Sequence, residues 1–359
     1  MVLSGLIGVR GSGRSTILEL MSNGRTFSAK RTGRFDANGA VVNPEDAKLE
    51  RLAAFYSSQK VVKAEFTVID YESVGIGERT GRGAEWLNTL QGVATLLAVI
   101  PTYLDDNFRE SIRRRLGEIS ADLVIADLAA VERRLERLDR EIVRAPRSEK
   151  PLLEGEQVLH DSLREQLEMG MHLSGLDLDA TKLRLIGSFG FMTLKPMVVI
   201  INSGEDDINK WSTMCQEVKD IWPYSHTGVT AVSAAIECEA MDLSEDERCE
   251  ILDSLGIERP VTMRMSDAVS LASDKLTVYT GSETEVRAWS VPRGSTALDF
   301  AAIIHTDLAQ GFIRAEVIAF DELERSGSEG AARRRGLIRS EGKNYKLQPN
   351  EVVTVLFSR

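Results

Sequence analysis

Residues 8–16 read Gly8-Val9-Arg10-Gly11-Ser12-Gly13-Arg14-Ser15-Thr16, and they close an apolar run that starts at Val2. Ser15-Thr16-Ile17-Leu18-Glu19-Leu20-Met21 then has the composition of a helix. Strand, glycine turn and helix in that order form the unit from which doubly wound α/β folds are built. The spacing is that of the phosphate-cradling loop G-x-x-x-x-G-K-[ST], with Arg14 where lysine is usual. Glycines let backbone N–H groups converge on an anion, and the helix that follows adds its positive end. Gly8, Arg10, Gly11, Ser12, Gly13, Arg14, Ser15 and Thr16 are therefore the candidate phosphate contacts. The hydroxyl of Ser15 is a candidate Mg²⁺ ligand. Arginine keeps the charge of the lysine, but it is longer, planar and a poor shape for a compact ammonium site.

Working outward, Ala64 to Asp70, Thr95 to Ile100, Met197 to Asn202 and Gly228 to Ser233 read as further strands. Most are nearly continuous in apolar residues, the pattern of parallel strands covered on both faces. Asp70 ends the first of them, where an acid commonly joins Ser15 in holding Mg²⁺. A D-x-x-G continuation would put glycine at position 73; the chain has Ser73. Asn202-Ser203-Gly204-Glu205 follows the next strand as N-x-x-E, in place of the guanine-reading N-K-x-D. The carboxylate lies one methylene further out, so guanine selectivity is expected to weaken. Val232-Ser233-Ala234-Ala235 is similar to the S-A-K loop that backs a base, without its lysine. Asn202, Glu205, Ser233 and Ala234 are the candidate base contacts.

Between Ile100 and Met197 the texture is helical. Leu116, Ile119, Leu123, Ala126, Ala130, Val131, Leu135, Leu138 and Ile142 step by three and four, apart from one slip. Arg109 to Lys150 holds 11 bases and 9 acids, a mixed polar face. Arg144 to Ser148 breaks this helix, and Leu152 to Leu167 makes a return arm. After Ala272 the texture becomes β-rich, with runs at Leu276 to Thr280, Glu285 to Val291, Ile313 to Phe320 and Val352 to Phe357.

Length and charge narrow the function classes. The 359 residues exceed one core at roughly 100–200 residues per domain, so two or three domains are expected. With 55 acidic and 44 basic residues the formal charge is −11, so any nucleic-acid contact must use a local basic face. Arg333-Arg334-Arg335 with Arg339, Lys343 and Lys346 is the best candidate for one. Three scattered cysteines make neither a disulfide framework nor a zinc site. Apolar runs fall short of the ~20 residues of a membrane span. The first residues read as a strand, not a leader, which gives the expectation of a cytoplasmic protein.

These elements, in this order and with the helical insertion before Asn202, resemble the YchF/Obg-like ATPase family of P-loop GTPase-class proteins. Glu285-Val286-Arg287-Ala288-Trp289, Ile304-His305-Thr306-Asp307 and Gly311-Phe312-Ile313-Arg314-Ala315-Glu316-Val317 look like that family's ubiquitin-like TGS domain. Ala126 to Leu135 resembles its coiled-coil arm. The resemblance implies an α/β, Ras-like P-loop NTPase domain over residues 1–104 and 196–275. It further implies a helical coiled-coil insertion over 105–195 and a β-grasp TGS domain over 276–359. It also implies Mg²⁺ at Ser15 and Asp70, binding of ATP or GTP, slow hydrolysis and ribosome association; the expectation of no membrane contact comes from the short apolar runs alone. Val74 matches an apolar residue that takes the place of the water-orienting glutamine of ordinary GTPases. The departures at Arg14 and Ser73 cluster around the γ-phosphate, so hydrolysis is expected to be weak or absent, and no catalytic residue is assigned. The rival reading is a non-catalytic adaptor that binds RNA or protein through its helical arm and TGS domain.

Overall fold

The computed structural model describes residues 2–32, 35–71, 76, 87–105 and 107–358. The chain begins with β1 (Val2–Gly8), α1 (Arg14–Ser22), β2 (Thr26–Thr32), β3 (Phe35–Val42), α2 (Ala47–Tyr56), β4 (Val61–Val62), β5 (Phe66–Tyr71) and β6 (Thr95–Pro101). The insertion supplies α3 (Phe108–Arg144), α4 (Lys150–Glu168) and α5 (Ala180–Ile186). Next come β7 (Met197–Asn202), α6 (Trp211–Ile221), β8 (Thr227–Val232), α7 (Ala234–Glu239), α8 (Glu245–Ser254) and α9 (Val261–Ala272). The rest is β9 (Lys275–Gly281), β10 (Val286–Pro292), α10 (Ala297–Ile304), α11 (Thr306–Gln310), β11 (Phe312–Ala319), α12 (Phe320–Ser326), α13 (Glu329–Arg334), β12 (Arg339–Glu341) and β13 (Glu351–Phe357). Two compact units result: Met1–Val42 with Phe66–Ala272, and Asn43–Glu65 with Ser273–Arg359.

In the first unit the sheet order is β2-β3-β5-β1-β6-β7-β8. Strands β5, β1, β6, β7 and β8 are parallel, and the β2–β3 hairpin extends them antiparallel. Every residue of β6 and β7 is buried, as their continuous apolar runs require. One face is covered by Ile112, Leu116 and Ile119 of α3 and Met214 and Val218 of α6. The other face takes Ile17, Leu18 and Met21 of α1 and Val261, Met265, Ala268 and Ala272 of α9. Gly228 sets the fit of α9, because a Cβ there would overlap the Ala268 carbonyl.

The 37-residue α3 starts at Asn107, whose side chain accepts hydrogen bonds from the N–H groups of Arg109 and Glu110. It ends just before Ala145-Pro146, where the sequence placed the break. Leu135 packs against Leu159 and Leu163 of α4, and each leucine so buried contributes about 1.5–3 kcal/mol. Arg134 clamps the two helices through a two-bonded contact with Glu156 at 2.8 and 2.9 Å. At the base of the arm, buried Asp127 accepts from Met192 N and Thr193 N at 2.8 Å each and from Thr193 Oγ1 at 2.7 Å.

The second unit has sheet order β12-β11-β13-β9-β10-β4. Its central β13–β9 pair is parallel, with antiparallel β10 and β11 on either side. That order, with α10 crossing between β10 and β11, is the β-grasp arrangement. The structure differs from the sequence-based division at Asn43–Glu65, which belongs to this unit and not to the nucleotide-type sheet. The physical reason is burial: Leu49 and Leu52 of α2 sit with Tyr279, Phe320 and Val352 in one core, and β4 pairs with β10.

Candidate functional site

The glycine loop leaves β1 at Gly8 and enters α1 at Arg14. Gly11 at φ 73° and Gly13 at φ 89° both occupy the left-handed region, which glycine adopts without strain. Ser12 N closes the turn on Val9 O at 3.2 Å. The start of α1 has neither a side-chain cap nor an acid in its first turn, so its positive end faces no built-in negative charge there.

Asp70 lies beside Leu6 of β1 in parallel register and is 1% exposed. Ser15 Oγ donates to Asp70 Oδ2 at 3.0 Å, so the two expected metal-side oxygens do meet. Arg14 joins them, with Nε 3.6 Å from Asp70 Oδ1. The guanidinium that replaces the lysine is thus directed at the acid as well as lying beside the loop. Ser73 and Val74, the other two positions expected to matter near the γ-phosphate, lie outside the described residues. Among the described residues no group of three or more His, Cys, Asp or Glu side chains is placed to hold a metal. Ser15 and Asp70 are nevertheless hard oxygen donors of the type Mg²⁺ takes.

The two base-side loops converge on the same place. Asn202 Nδ2 donates to Ser12 O at 2.9 Å, and Asn202 Oδ1 accepts from Ala234 N at 3.1 Å. One buried amide therefore ties the phosphate loop to both loops that follow β7 and β8. A Cβ at Gly13 would collide with this amide, a second reason for glycine there. Glu205 opens a short 3₁₀ turn over Glu205–Lys210 and is exposed. Ser233 is fully buried, with its N–H given to Glu237 Oε1 at 3.1 Å.

Several side chains at this site lie outside the sequence motifs. Tyr103, just past β6, donates its hydroxyl to Gly11 O at 2.6 Å. Its place after the carboxyl end of a parallel strand, where such sheets bind ligands, was the available signal. Trp211 donates its indole N–H to Ser203 Oγ at 2.7 Å. Its ring lies 5.0 Å below the Arg264 guanidinium. Arg264 in turn donates to Ala231 O and pairs with Glu237. Burial raises the Glu237 carboxyl, opposed by Arg264 and by the Ser233 N–H. Cys238, whose thiol donates to Thr16 O, is pushed up to about 11, first by burial and then by nearby acids. A thiol held protonated in this way is a poor nucleophile.

A parallel sheet with this loop at β1, an acid at the end of β5 and amide-linked loops after β7 and β8 defines a P-loop protein of the GTPase type. A family profile named YchF-GTPase_C, described as "Protein of unknown function (DUF933)", matches residues 276–358. The "Ribosome-binding ATPase YchF" of Pasteurella multocida is 30% identical over 99% of this chain and 98% of its own length. That of Bacillus subtilis is 27% identical over 99% of each. The solved Schizosaccharomyces pombe YchF GTPase shares the fold with a TM-score of 0.79 at 21% identity, over 99% of this chain and 97% of that one. The chain belongs to the YchF family. Among its described residues no helix is long and apolar enough to cross a membrane.

Proposed function

We propose that this chain is a cytoplasmic, purine-nucleotide-binding P-loop protein that takes ATP or GTP, hydrolyses it weakly or not at all, and acts in association with the ribosome. The observation that carries the nucleotide part is the Asn202 amide, which joins Ser12 of the phosphate loop to Ala234 of the base loop. That link holds the two loops side by side, as one ligand spanning both would require. Phosphates would lie against Gly8, Arg10, Gly11, Ser12, Gly13, Arg14, Ser15 and Thr16, with the base beside Asn202, Glu205, Ser233 and Ala234. Mg²⁺, where it accompanies the nucleotide, would be held from the Ser15 and Asp70 side and would neutralise phosphate charge. Ribosome contact is inferred from the names of the relatives, and the TGS module over 276–359 and the helical arm over 105–195 are its proposed surfaces.

One observation favours a second reading, a nucleotide-independent adaptor: Arg14 already stands on Asp70. Calorimetry with ATP, GTP, ADP and GDP, each with and without Mg²⁺, tests the two together. Micromolar binding of a purine nucleotide supports the proposal, and no heat with any of the four supports the adaptor.

A further inference from the structure

Both loops assigned to the base are also connected from behind, by residues outside every nucleotide-binding motif. Ser203, in the position lysine occupies in N-K-x-D, is 3% exposed, and its hydroxyl accepts from Trp211 at the head of α6. Arg264 of α9 stacks on that indole and pairs with Glu237 of α7. Glu237 accepts from Ser233 N, and the next amide, Ala234 N, donates to Asn202. The circuit therefore closes: Asn202-Ser203, Trp211, Arg264, Glu237, Ser233-Ala234, and back to Asn202.

The Arg264–Glu237 pair is nearly dry, with side chains 14% and 3% exposed. A buried ion pair seldom stabilises a fold more than well-packed apolar side chains would, because desolvation offsets its attraction. What it does supply is fixed geometry. Arg264 uses one edge of its guanidinium for Ala231 O and another for Glu237, while its face rests on Trp211. A planar fork can satisfy all three at once, and an ammonium cannot.

We propose that Arg264 is a positioning residue for purine recognition, acting through Trp211 and Glu237 to fix the 202–205 and 233–234 loops relative to one another. The proposal rests on the nucleotide-binding reading above and names the device that gives that site its base preference. Without Arg264 the Glu237 carboxylate loses its counter-charge and the Ser233 N–H loses its fixed acceptor. Leaving such buried groups unsatisfied is costly, which favours a shift of the base loop. The phosphate loop is coupled to these loops through Asn202 but also has supports of its own, the Ser12 N to Val9 O turn and α1.

The test is a binding comparison of ATP, GTP and CTP on the full chain, with thermal melts as a check on folding. Arg264→Met retains apolar cover over Trp211 and is expected to lower ATP and GTP affinity roughly tenfold while leaving CTP affinity unchanged. Arg264→Lys keeps the charge beside Glu237 and is expected to recover part of that affinity. Trp211→Phe keeps the ring but removes the bond to Ser203, and is expected to fall between wild type and Arg264→Met. Equal losses for ATP and CTP, or unchanged ATP affinity in folded variants, would overturn the proposal. A wild type that binds purines no better than CTP would overturn it too. A wild type that binds no nucleotide removes the underlying nucleotide reading instead, which is a separate result.

Discussion

Arg14 Nε lies 3.6 Å from Asp70 Oδ1 while Ser15 Oγ donates to Asp70 Oδ2 at 3.0 Å, so one buried carboxylate takes a guanidinium on one oxygen and a hydroxyl on the other. A P-loop lysine lies instead along the β- and γ-phosphates, and the acid serves the metal. A cation already beside Asp70 offsets the charge that would draw Mg²⁺ there.

Diphosphate binding by wild type is therefore expected to change less than about threefold when Mg²⁺ is removed with EDTA, a difference under 1 kcal/mol. Arg14→Lys frees Asp70 and is expected to make binding Mg²⁺-dependent and to raise triphosphate affinity. Single-turnover hydrolysis by wild type should fall far below the roughly 1–100 per second of ordinary phosphoryl-transfer enzymes. Turnover in that range by protein free of contaminating ATPases would show that Arg14 substitutes fully for lysine.

Base choice is the second expectation. Glu205 is exposed at the start of its 3₁₀ turn, so shortening it to Asp disturbs no packing. Glu205→Asp should shift preference toward GTP, by up to about tenfold for one charged hydrogen bond gained. Restoring lysine at position 203 is a poorer test, because Ser203 is buried against the Trp211 indole. Competition between labelled ATP and unlabelled GTP measures the shift, and an unchanged ratio would remove Glu205 from the base site.

Much of this was legible in the sequence, because parallel strands announce themselves as continuous apolar runs and the loops between them carry fixed spacings. Ser15 and Asp70, 55 residues apart, could be paired in advance for that reason. The β2–β3 hairpin was not legible: Thr26, Ser28 and Asn38 interrupt its apolar pattern. Nor was the membership of α2, since Leu49 and Leu52 mark a buried face without saying which core buries it. At the site, Trp211 lies outside every motif and nothing in its spacing marked it. Arg264 had only one signal, a charge set between Val261 and Met265 of an apolar helix stripe.

The basic cluster of the second unit is less available than its sequence suggests. Arg333 is tied to Glu316 at 3.0 and 2.7 Å and to Glu329 at 3.1 Å, and Arg339 to Glu351 at 2.6 Å. Arg334, Arg335, Lys343 and Lys346 are exposed and make no ion pair among the described residues. Arg334→Ala with Arg335→Ala should therefore weaken ribosome co-sedimentation and lower its logarithmic salt slope by about 0.7–0.9 for each phosphate no longer neutralised. Arg333→Ala should act on stability instead. Identical salt slopes for wild type and the double variant would exclude this surface.

The joint between α3 and the loop before β7 should show two opposed pH dependences. Asp127 is lifted to about 6, first by burial, against the bonds from Thr193 and Met192. Between its ordinary value of 3.8 and about 6, the folded state keeps a proton that the unfolded chain has lost. Its contribution to stability therefore falls as pH rises through that window and is level above it. His172, stacked on Tyr224 at 3.8 Å, is pushed down to about 4 by burial. Between about 4 and 6.5 the unfolded chain holds a proton that the folded one lacks, so its contribution rises with pH and is lost as pH falls. The two groups meet through Thr193, whose Oγ1 donates to Asp127 and accepts from Leu173 N at 3.2 Å, next to His172. Urea midpoints at pH 4, 5, 6 and 7 for wild type, Asp127→Asn and His172→Phe isolate each group by difference. The wild-type advantage over His172→Phe should grow with pH and that over Asp127→Asn should shrink, each by at most about 1.4 kcal/mol per pH unit. Asp127→Asn should also cost about 1–3 kcal/mol at pH 7, because one accepting oxygen becomes an NH₂ group that faces another donor. Differences of the same sign for both variants would show that these two groups do not control the joint.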